Sequence, residues 1–222
     1  MRAMILAAGR GERLRPLTER IPKPLVPVGG EPLIVHQMRW LHRAGIRDVV
    51  VNLHHLGAAI ESALGSGSDL GVRIRYSHEP DLLETGGGIK KALPDLVPGP
   101  FVVLNGDIWT NYPFANLLDV EAPKAHLVLT PTPGHREHAD FHVETSGRGL
   151  RVRRGPGNDL TYCGIALLGE SLFADTPNGA FSLTAPLFKA VAEDQVTGEV
   201  FRGNWIDIGT HEELKRARRL TA

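Results

Sequence analysis

The chain has 222 residues, of which 42 % are hydrophobic and 23 % charged, and this length and composition suit one large globular domain. Its 25 basic residues balance its 25 acidic ones, so the net charge of zero argues against nucleic acid or an anionic membrane as a general partner. Cys163 is the single cysteine, and no apolar run approaches the roughly 20 residues of a membrane span, so we expect a cytoplasmic protein without disulfides.

The first half alternates short apolar runs with amphipathic segments. The apolar runs predict strands over residues 2–7, 48–53, 72–77 and 101–104. Helices are predicted over residues 34–44, 57–64 and 86–93, the first ended by Gly45 and the last by Pro94. This alternation favours a parallel sheet that is covered by helices on both faces.

The second half has a different pattern. Strands are predicted over residues 125–130, 140–144, 150–153 and 161–168, and helices over 183–193 and 210–219. No long helix separates the four strands, so we expect a mixed sheet in which the middle pair forms a hairpin. Ligands of open sheets bind beyond the carboxyl ends of the strands, which points to residues from Ala8 and from Glu79 onward, to 105–108 and to 205–208.

A loop of small residues follows the first predicted strand. It reads Leu-Ala-Ala-Gly-Arg-Gly-Glu-Arg-Leu-Arg-Pro-Leu-Thr over residues 6–18, and Pro-Lys-Pro-Leu follows over 22–25. Backbone N–H groups can approach a polyphosphate closely at the small residues of this loop, Ala7, Ala8, Gly9 and Gly11. Arg13 and Lys23 add positive charge, the arginine as a bidentate donor and the lysine as a mobile point charge.

Two better-known glycine loops do not fit this segment. A dinucleotide-binding loop needs a third glycine at the position of Leu14, and a Walker A loop needs Gly-Lys followed by Ser or Thr. Taken alone, the two glycines are equally consistent with a tight turn that carries solvated arginines.

The complete motif resembles the signature of the sugar-phosphate nucleotidyltransferases, and every position of that signature is filled. The resemblance extends to Thr-Gly-Gly at 85–87, Asn-Gly-Asp at 105–107 and Trp-Ile-Asp-Ile-Gly-Thr at 205–210. It implies an α/β, Rossmann-like nucleotidyltransferase (GT-A-like) fold with a mostly parallel mixed sheet, flanking helices and a small antiparallel hairpin. It also implies a single domain over residues 1–222, with a nucleotide-binding half at 1–110 and a sugar-binding half at 111–222.

In that family a sugar 1-phosphate attacks the α-phosphorus of a nucleoside triphosphate, and pyrophosphate leaves. The nucleophile is already an anion, so catalysis consists mainly of positioning and charge neutralisation. Asp107 and Asp207 end predicted strands without a basic neighbour in the sequence, and the resemblance supports both as ligands of Mg²⁺, which prefers one or two carboxylates with phosphate oxygens and water. From the residues alone, each aspartate is also compatible with a turn or N-cap role.

The resemblance assigns further roles around this centre. Arg13 would face the triphosphate and the leaving pyrophosphate, and Lys23 would bridge the α-phosphate and the incoming sugar phosphate. The base and ribose would be met by Ala7, Ala8, Gly9, Glu79 and the glycine-rich wall at Gly86. The sugar pocket would include Asn105, Asp140, Thr161 and Gly164.

The choice of substrates is less determined by the sequence. A carboxylate at Glu79 accepts hydrogen bonds, which suits uracil, thymine or guanine better than cytosine. Within the family, the short length and the strings at 84–89 and 105–110 look most like members that use UTP and N-acetylmuramate 1-phosphate in cell-wall recycling. Alternatives are a mannose-1-phosphate guanylyltransferase, a glucose-1-phosphate uridylyl- or thymidylyltransferase, and a nucleotide-sugar sensor without catalysis. The sequence leaves the oligomeric state open.

Three histidines, His135, His138 and His142, are spaced like possible metal ligands. They fall in a connection rich in proline and glycine and in a predicted strand, with no cysteine nearby to complete a zinc site. We therefore expect no metal at these positions.

Overall fold

The computed structural model describes residues 1–122, 124–134, 136–147 and 149–221. The α-helices in these ranges are α1 (Leu33–Arg43), α2 (Gly57–Leu64), α3 (Glu84–Leu96), α4 (Thr184–Ala192) and α5 (His211–Leu220). The strands are β1 (Arg2–Leu6), β2 (Pro27–Val28), β3 (Glu31–Pro32), β4 (Asp48–Leu53), β5 (Arg73–His78), β6 (Phe101–Asn105), β7 (Ile108–Thr110), β8 (Ala125–Pro131), β9 (His142–Ser146), β10 (Gly149–Arg153), β11 (Leu160–Leu168), β12 (Val196–Val200) and β13 (Trp205–Asp207). Among the described helices, none has the length and apolar character needed to cross a membrane.

One large sheet organises the molecule. Within the described residues it contains nine strands in the order β5-β4-β1-β6-β11-β8-β12-β10-β9. The strands of the first half, β5, β4, β1 and β6, run parallel, as their alternation with helices predicts. β11 pairs antiparallel with β6 and with β8, and β9 and β10 form the predicted hairpin. The sheet is therefore mixed and runs without interruption through both halves of the chain.

Apolar side chains cover both faces of this sheet. On one face the strands pack against α1 and α2, which contribute Met38 and Ile60. On the other face they pack against α3 and α4, which contribute Ile89 and Leu187. Burial on both faces explains why β1, β4 and β6 read as continuous apolar runs, whereas the edge strand β5 alternates polar and apolar residues.

A smaller apolar cluster attaches the loop after β1 to the C-terminal part of the chain. Leu14 of that loop is buried together with Trp109 of β7, Ile208 and Leu214 of α5. α5 begins at a capping box. The hydroxyl of Thr210 accepts from the N–H of Glu213, and the carboxylate of Glu213 accepts from the N–H of Thr210. These contacts bring the loop that carries Arg13 against the strand that carries Asp207.

Most predicted elements are confirmed with shifted ends, and the exceptions have local causes. The prediction that Pro94 ends the third helix is wrong, because α3 continues to Leu96. Leu96 is fully buried in the core, and this burial outweighs the single hydrogen bond that the proline cannot donate. The sequence pattern also missed β12, where Gly198 interrupts an otherwise strand-like run.

Candidate active site

A cavity of about 450 Å³ opens at the carboxyl ends of β1 and β6, beside the first turn of α3. Its place agrees with the rule for open sheets, and its volume lies in the range of small-ligand sites. Its wall includes most of the residues that the sequence predicts to bind the nucleotide and its phosphates: Ala7, Ala8, Gly9, Gly11, Arg13, Lys23, Asn105 and Asp107.

Gly11 sets the shape of the loop after β1. Its φ of +62° lies in the left-handed region, and a Cβ at this position would come within 2.9 Å of Cγ2 of Thr18 and 3.2 Å of Cβ of Lys23. The hydroxyl of Thr18 donates to the carbonyl oxygen of Gly11 at 2.7 Å. Glycine therefore lets the loop fold back onto the segment that carries Lys23.

Lys23 joins this segment to the turn after β6. It lies between Pro22 and Pro24 in a short 3₁₀ turn, where the fixed φ angles of the prolines limit the directions open to its side chain. Its Nζ donates to Oδ2 of Asp107 at 2.6 Å, and the two side chains are 14 % and 26 % exposed. Two motifs that are distant in the sequence thus meet in a largely buried ion pair.

Gln37 of α1 holds the turn that contains Asp107 by hydrogen bonds to its backbone. Gln37 is fully buried and donates from Nε2 to the carbonyl oxygens of Asn105 and Ile108, at 3.0 and 2.9 Å. These residues flank the turn, so the two bonds fix the backbone on both sides of Asp107.

β13 brings Asp207 beside Asp107. It pairs antiparallel with β7, and the N–H of Ile208 donates to the carbonyl oxygen of Asp107 at 2.9 Å. Oδ2 of Asp207 accepts a hydrogen bond from Nη2 of Arg136 at 2.9 Å. Burial raises the pKa of Asp207, and the neighbouring charge of Asp107 raises it further, while Lys23 and Arg136 act in the opposite direction.

Each of these two carboxylates keeps one oxygen for a further ligand. Across the described ranges, Oδ1 of Asp107 and Oδ1 of Asp207 are buried and have no hydrogen-bond partner, an arrangement that is costly unless a ligand satisfies them. The described residues contain no group of three or more acidic, histidine or cysteine side chains that would form a closed metal site. Two carboxylates with open positions fit Mg²⁺, which takes phosphate oxygens and water as its other ligands.

Arg13 reaches the same place from the loop after β1. Its guanidinium lies against Gly209, where a Cβ would come within 2.6 Å of Nη2, and both residues line the cavity. The structure therefore brings together Arg13, Lys23, Asp107 and Asp207 from separate parts of the chain. Their catalytic and metal-binding roles stay predictions.

Glu79 is placed differently from the sequence expectation. It is 4 % exposed, lies behind the cavity wall, and uses both carboxylate oxygens inside the protein: Oε1 accepts from Nδ2 of Asn52 at 2.7 Å, and Oε2 from the N–H of Leu83 at 3.1 Å. Asn52 itself lines the cavity, and its Oδ1 accepts from the N–H of Ala7 at 2.8 Å. Asn52 is a polar residue near the carboxyl end of an apolar strand, a signal that the sequence contained and our prediction missed.

Two further predicted residues, Gly86 and Asp140, make hydrogen bonds within the protein. The N–H of Gly86 donates to the carbonyl oxygen of Phe181 at 2.9 Å, while the preceding Thr85 lines the cavity. Oδ2 of Asp140 accepts from the N–H of Tyr162 at 3.0 Å. Neither Gly86 nor Asp140 is part of the wall of the cavity, and their binding roles stay predictions.

The region of the three histidines contributes an arginine that the sequence did not indicate. Arg136 contacts Asp207, yet it lies in a connection rich in proline and glycine that matches no motif. Nδ1 of His142 lies 3.1 Å from Oδ1 of Asn158. His135 lies outside the described residues.

Comparisons with known proteins agree with the fold and the motifs. The nucleotidyl transferase family matches residues 2–154. An N-acetylmuramate alpha-1-phosphate uridylyltransferase from Neisseria meningitidis is 41 % identical over 99 % of this chain and 98 % of its own length. A mannose-1-phosphate guanyltransferase from Gibberella zeae is 32 % identical over 96 % of this chain and 62 % of its own length. A crystal structure of a Bacillus anthracis protein described as a glucose-1-phosphate thymidylyltransferase has a TM-score of 0.87 at 23 % identity, covering 100 % of this chain and 95 % of that one.

The class that the fold defines is an α/β protein of the GT-A-like type with a mixed sheet, and the expected fold class is confirmed. The chain belongs to the nucleotidyl transferase family. The family that the sequence motifs indicated is therefore confirmed as well.

Proposed function

We propose that this protein transfers the uridylyl group of UTP to N-acetylmuramate 1-phosphate, giving UDP-N-acetylmuramate and pyrophosphate. The observation that carries the proposal is the meeting of Lys23 and Asp107 in the wall of the first cavity with Asp207 beside them, where one oxygen of each acid is buried without a hydrogen-bond partner. The choice of substrates rests on the relative that is 41 % identical over nearly both full lengths.

The arrangement supports transfer without a general base. An oxygen of the sugar phosphate attacks the α-phosphorus, a new P–O bond forms, and the bond to pyrophosphate breaks. Lys23 neutralises charge that develops around the α-phosphate, and Arg13 binds the leaving pyrophosphate. Mg²⁺, held by Asp107 and Asp207, would supply charge neutralisation and hold phosphate oxygens.

The contacts of Glu79 support a different proposal for base recognition. Because the carboxylate of Glu79 is fully engaged, we propose that Glu79 orients Asn52, and that Asn52 and the backbone around Ala8 face the base. The hydrogen-bonding argument that favoured uracil, thymine or guanine over cytosine then loses its basis in residue 79. UTP is proposed from the relative alone.

The remaining expectations are carried forward as part of the proposal. Residues 1–110 would bind the nucleotide, and residues 111–222 the sugar. A cytoplasmic location is proposed because nucleoside triphosphates are the donor substrates.

The direct test presents the purified protein with matched substrate pairs and Mg²⁺ and scores pyrophosphate release. The pairs are UTP with N-acetylmuramate 1-phosphate, GTP with mannose 1-phosphate, and UTP or dTTP with glucose 1-phosphate. We expect turnover with the first pair to exceed the others. Turnover with GTP and mannose 1-phosphate but none with UTP would overturn the choice of substrates, and tight calorimetric binding without turnover of any pair would support the sensor alternative.

A further inference from the structure

A second cavity, of about 220 Å³, lies on the other side of the two acids. Asp207 is part of its wall, as are Thr130, Arg136, Asn204, Trp205 and Arg216. Asp107, beside Asp207, belongs to the wall of the first cavity. The acid pair therefore stands between a larger cavity suited to the nucleotide and a smaller one. At this volume the second cavity suits part of a ligand rather than a whole one.

Arg136 is held at the boundary between the two. Its Nη2 donates to Asp207, its Cζ lies 5.4 Å from the ring centroid of Trp205, and its side chain is 31 % exposed. The indole is itself fixed, since its Nε1 donates to the carbonyl oxygen of Cys163 at 2.8 Å. The hydrogen bond to Asp207 and the cation–π contact with a fixed ring restrain the guanidinium, and an arginine restrained in this way suits recognition of an anion.

Arg136 needs a new partner when the site is loaded. If Asp207 binds a divalent cation, the attraction between Asp207 and Arg136 falls, and two positive charges stand close together. The 1-phosphate of the acceptor must lie beside the α-phosphate, on the Lys23 side of the acids. An N-acetylmuramate carries one further anionic group, the carboxylate of its lactyl ether.

We propose that Arg136 is a specificity-determining residue that binds this lactyl carboxylate in the second cavity. The inference rests on the proposed function, because it takes N-acetylmuramate 1-phosphate as the acceptor. N-acetylglucosamine 1-phosphate lacks the lactyl ether and is otherwise the same molecule. Arg136 would therefore favour N-acetylmuramate 1-phosphate as the acceptor.

The test compares these two acceptors at saturating UTP. Arg136→Gln should lower kcat/KM for N-acetylmuramate 1-phosphate about 10- to 100-fold, the scale of a lost charge-assisted hydrogen bond, and should change that for N-acetylglucosamine 1-phosphate by less than about threefold. Where turnover of the second acceptor is too slow, its inhibition constant against the first serves instead. Arg136→Lys, which keeps the charge without the planar fork, should lie between wild type and Arg136→Gln.

Two controls isolate the role of Arg136. Arg75→Gln also breaks an arginine–carboxylate pair, with Asp95 at 2.6 Å, but on an exposed surface away from both cavities, and should leave both acceptors unchanged. Calorimetry with Mg²⁺ alone should show binding to Arg136→Gln that is at least as tight as to wild type, because a competitor for Asp207 has been removed.

Equal losses for the two acceptors, or weaker Mg²⁺ binding, would overturn the inference in favour of a role in the shared phosphate or metal site. No loss for either acceptor would overturn it altogether. Failure of the proposed function would be seen separately, as wild-type protein that does not turn over N-acetylmuramate 1-phosphate with UTP.

Discussion

The ion pair between Lys23 and Asp107 allows the site to be tested without any substrate. Lys23→Met removes the positive charge and leaves Asp107 and Asp207 buried side by side. Breaking a fully buried pair from one side costs about 3–5 kcal/mol, and the partial exposure of this one, 14 % and 26 %, reduces the expected cost to about 2–3 kcal/mol. In a chain of this length that corresponds to a fall in melting temperature of about 4–12 °C.

A double-mutant cycle measures this coupling. Unfolding free energies would be obtained from urea titrations in EDTA for wild type, Lys23→Met, Asp107→Asn and the double variant. We expect the double variant to be more stable than Lys23→Met, because it no longer buries an unpaired carboxylate at residue 107.

The Lys124–Glu193 pair is a matched control. Its Nζ–Oε2 distance is 2.9 Å, but its side chains are 30 % and 41 % exposed, so Lys124→Met should destabilise the protein far less than Lys23→Met. Equal losses of stability at Lys23 and Lys124, or a coupling energy near zero between Lys23 and Asp107, would show that the Lys23–Asp107 ion pair does not stabilise the ligand-free protein.

Three further predictions follow from single residues. Asp207→Asn should lower turnover at least about 10²-fold, the scale of losing one electrostatic stabiliser, and near-normal rates at limiting Mg²⁺ would contradict its role. Gly11→Ala should cost about 1–3 kcal/mol in urea unfolding, because of its φ of +62° and the contact with Thr18, whereas Gly147→Ala, with no atom within 4 Å of the added Cβ, should cost less. Burial lowers the pKa of His126 to about 4, so the unfolded chain takes up this proton first as pH falls from about 6.5. Stability due to neutral His126 is thus present above pH 6.5 and is lost towards pH 4. His126→Gln should reduce the loss measured by urea unfolding between pH 7 and 4.5 by about 2–3 kcal/mol, and an unchanged loss would contradict a buried neutral imidazole at this position.

The sequence predicted that polar motif residues following parallel strands would lie close together. The loop after β1 and the turn with Asp107 both follow predicted parallel strands, whose carboxyl ends lie at one edge of the sheet, and Lys23 belongs to the motif that continues from that loop. Arg136 could not be found in this way, because its contact with Asp207 depends on the path of an irregular connection.

The prediction for Glu79 shows that the sequence does not specify where a side chain points. Its place after β5 made Glu79 a candidate, but a position in the chain does not specify the direction of a side chain. The neighbouring Asn52 and the N–H of Leu83 draw the carboxylate into the interior. Pro94 shows that tertiary packing can also override a local helix-ending signal. Although proline usually ends a helix, α3 continues to Leu96, which is buried in the core.

The proposed chemistry requires that Asp107 and Asp207 share one divalent cation with the nucleotide phosphates. Crystals grown with Mn²⁺ in place of Mg²⁺ and a non-hydrolysable UTP analogue would locate the cation by its anomalous scattering. We expect one peak with an oxygen of each aspartate at about 2.0–2.3 Å and phosphate oxygens completing the shell. A peak bound by only one of the two acids, or located away from both, would show that Asp107 and Asp207 do not form one metal site.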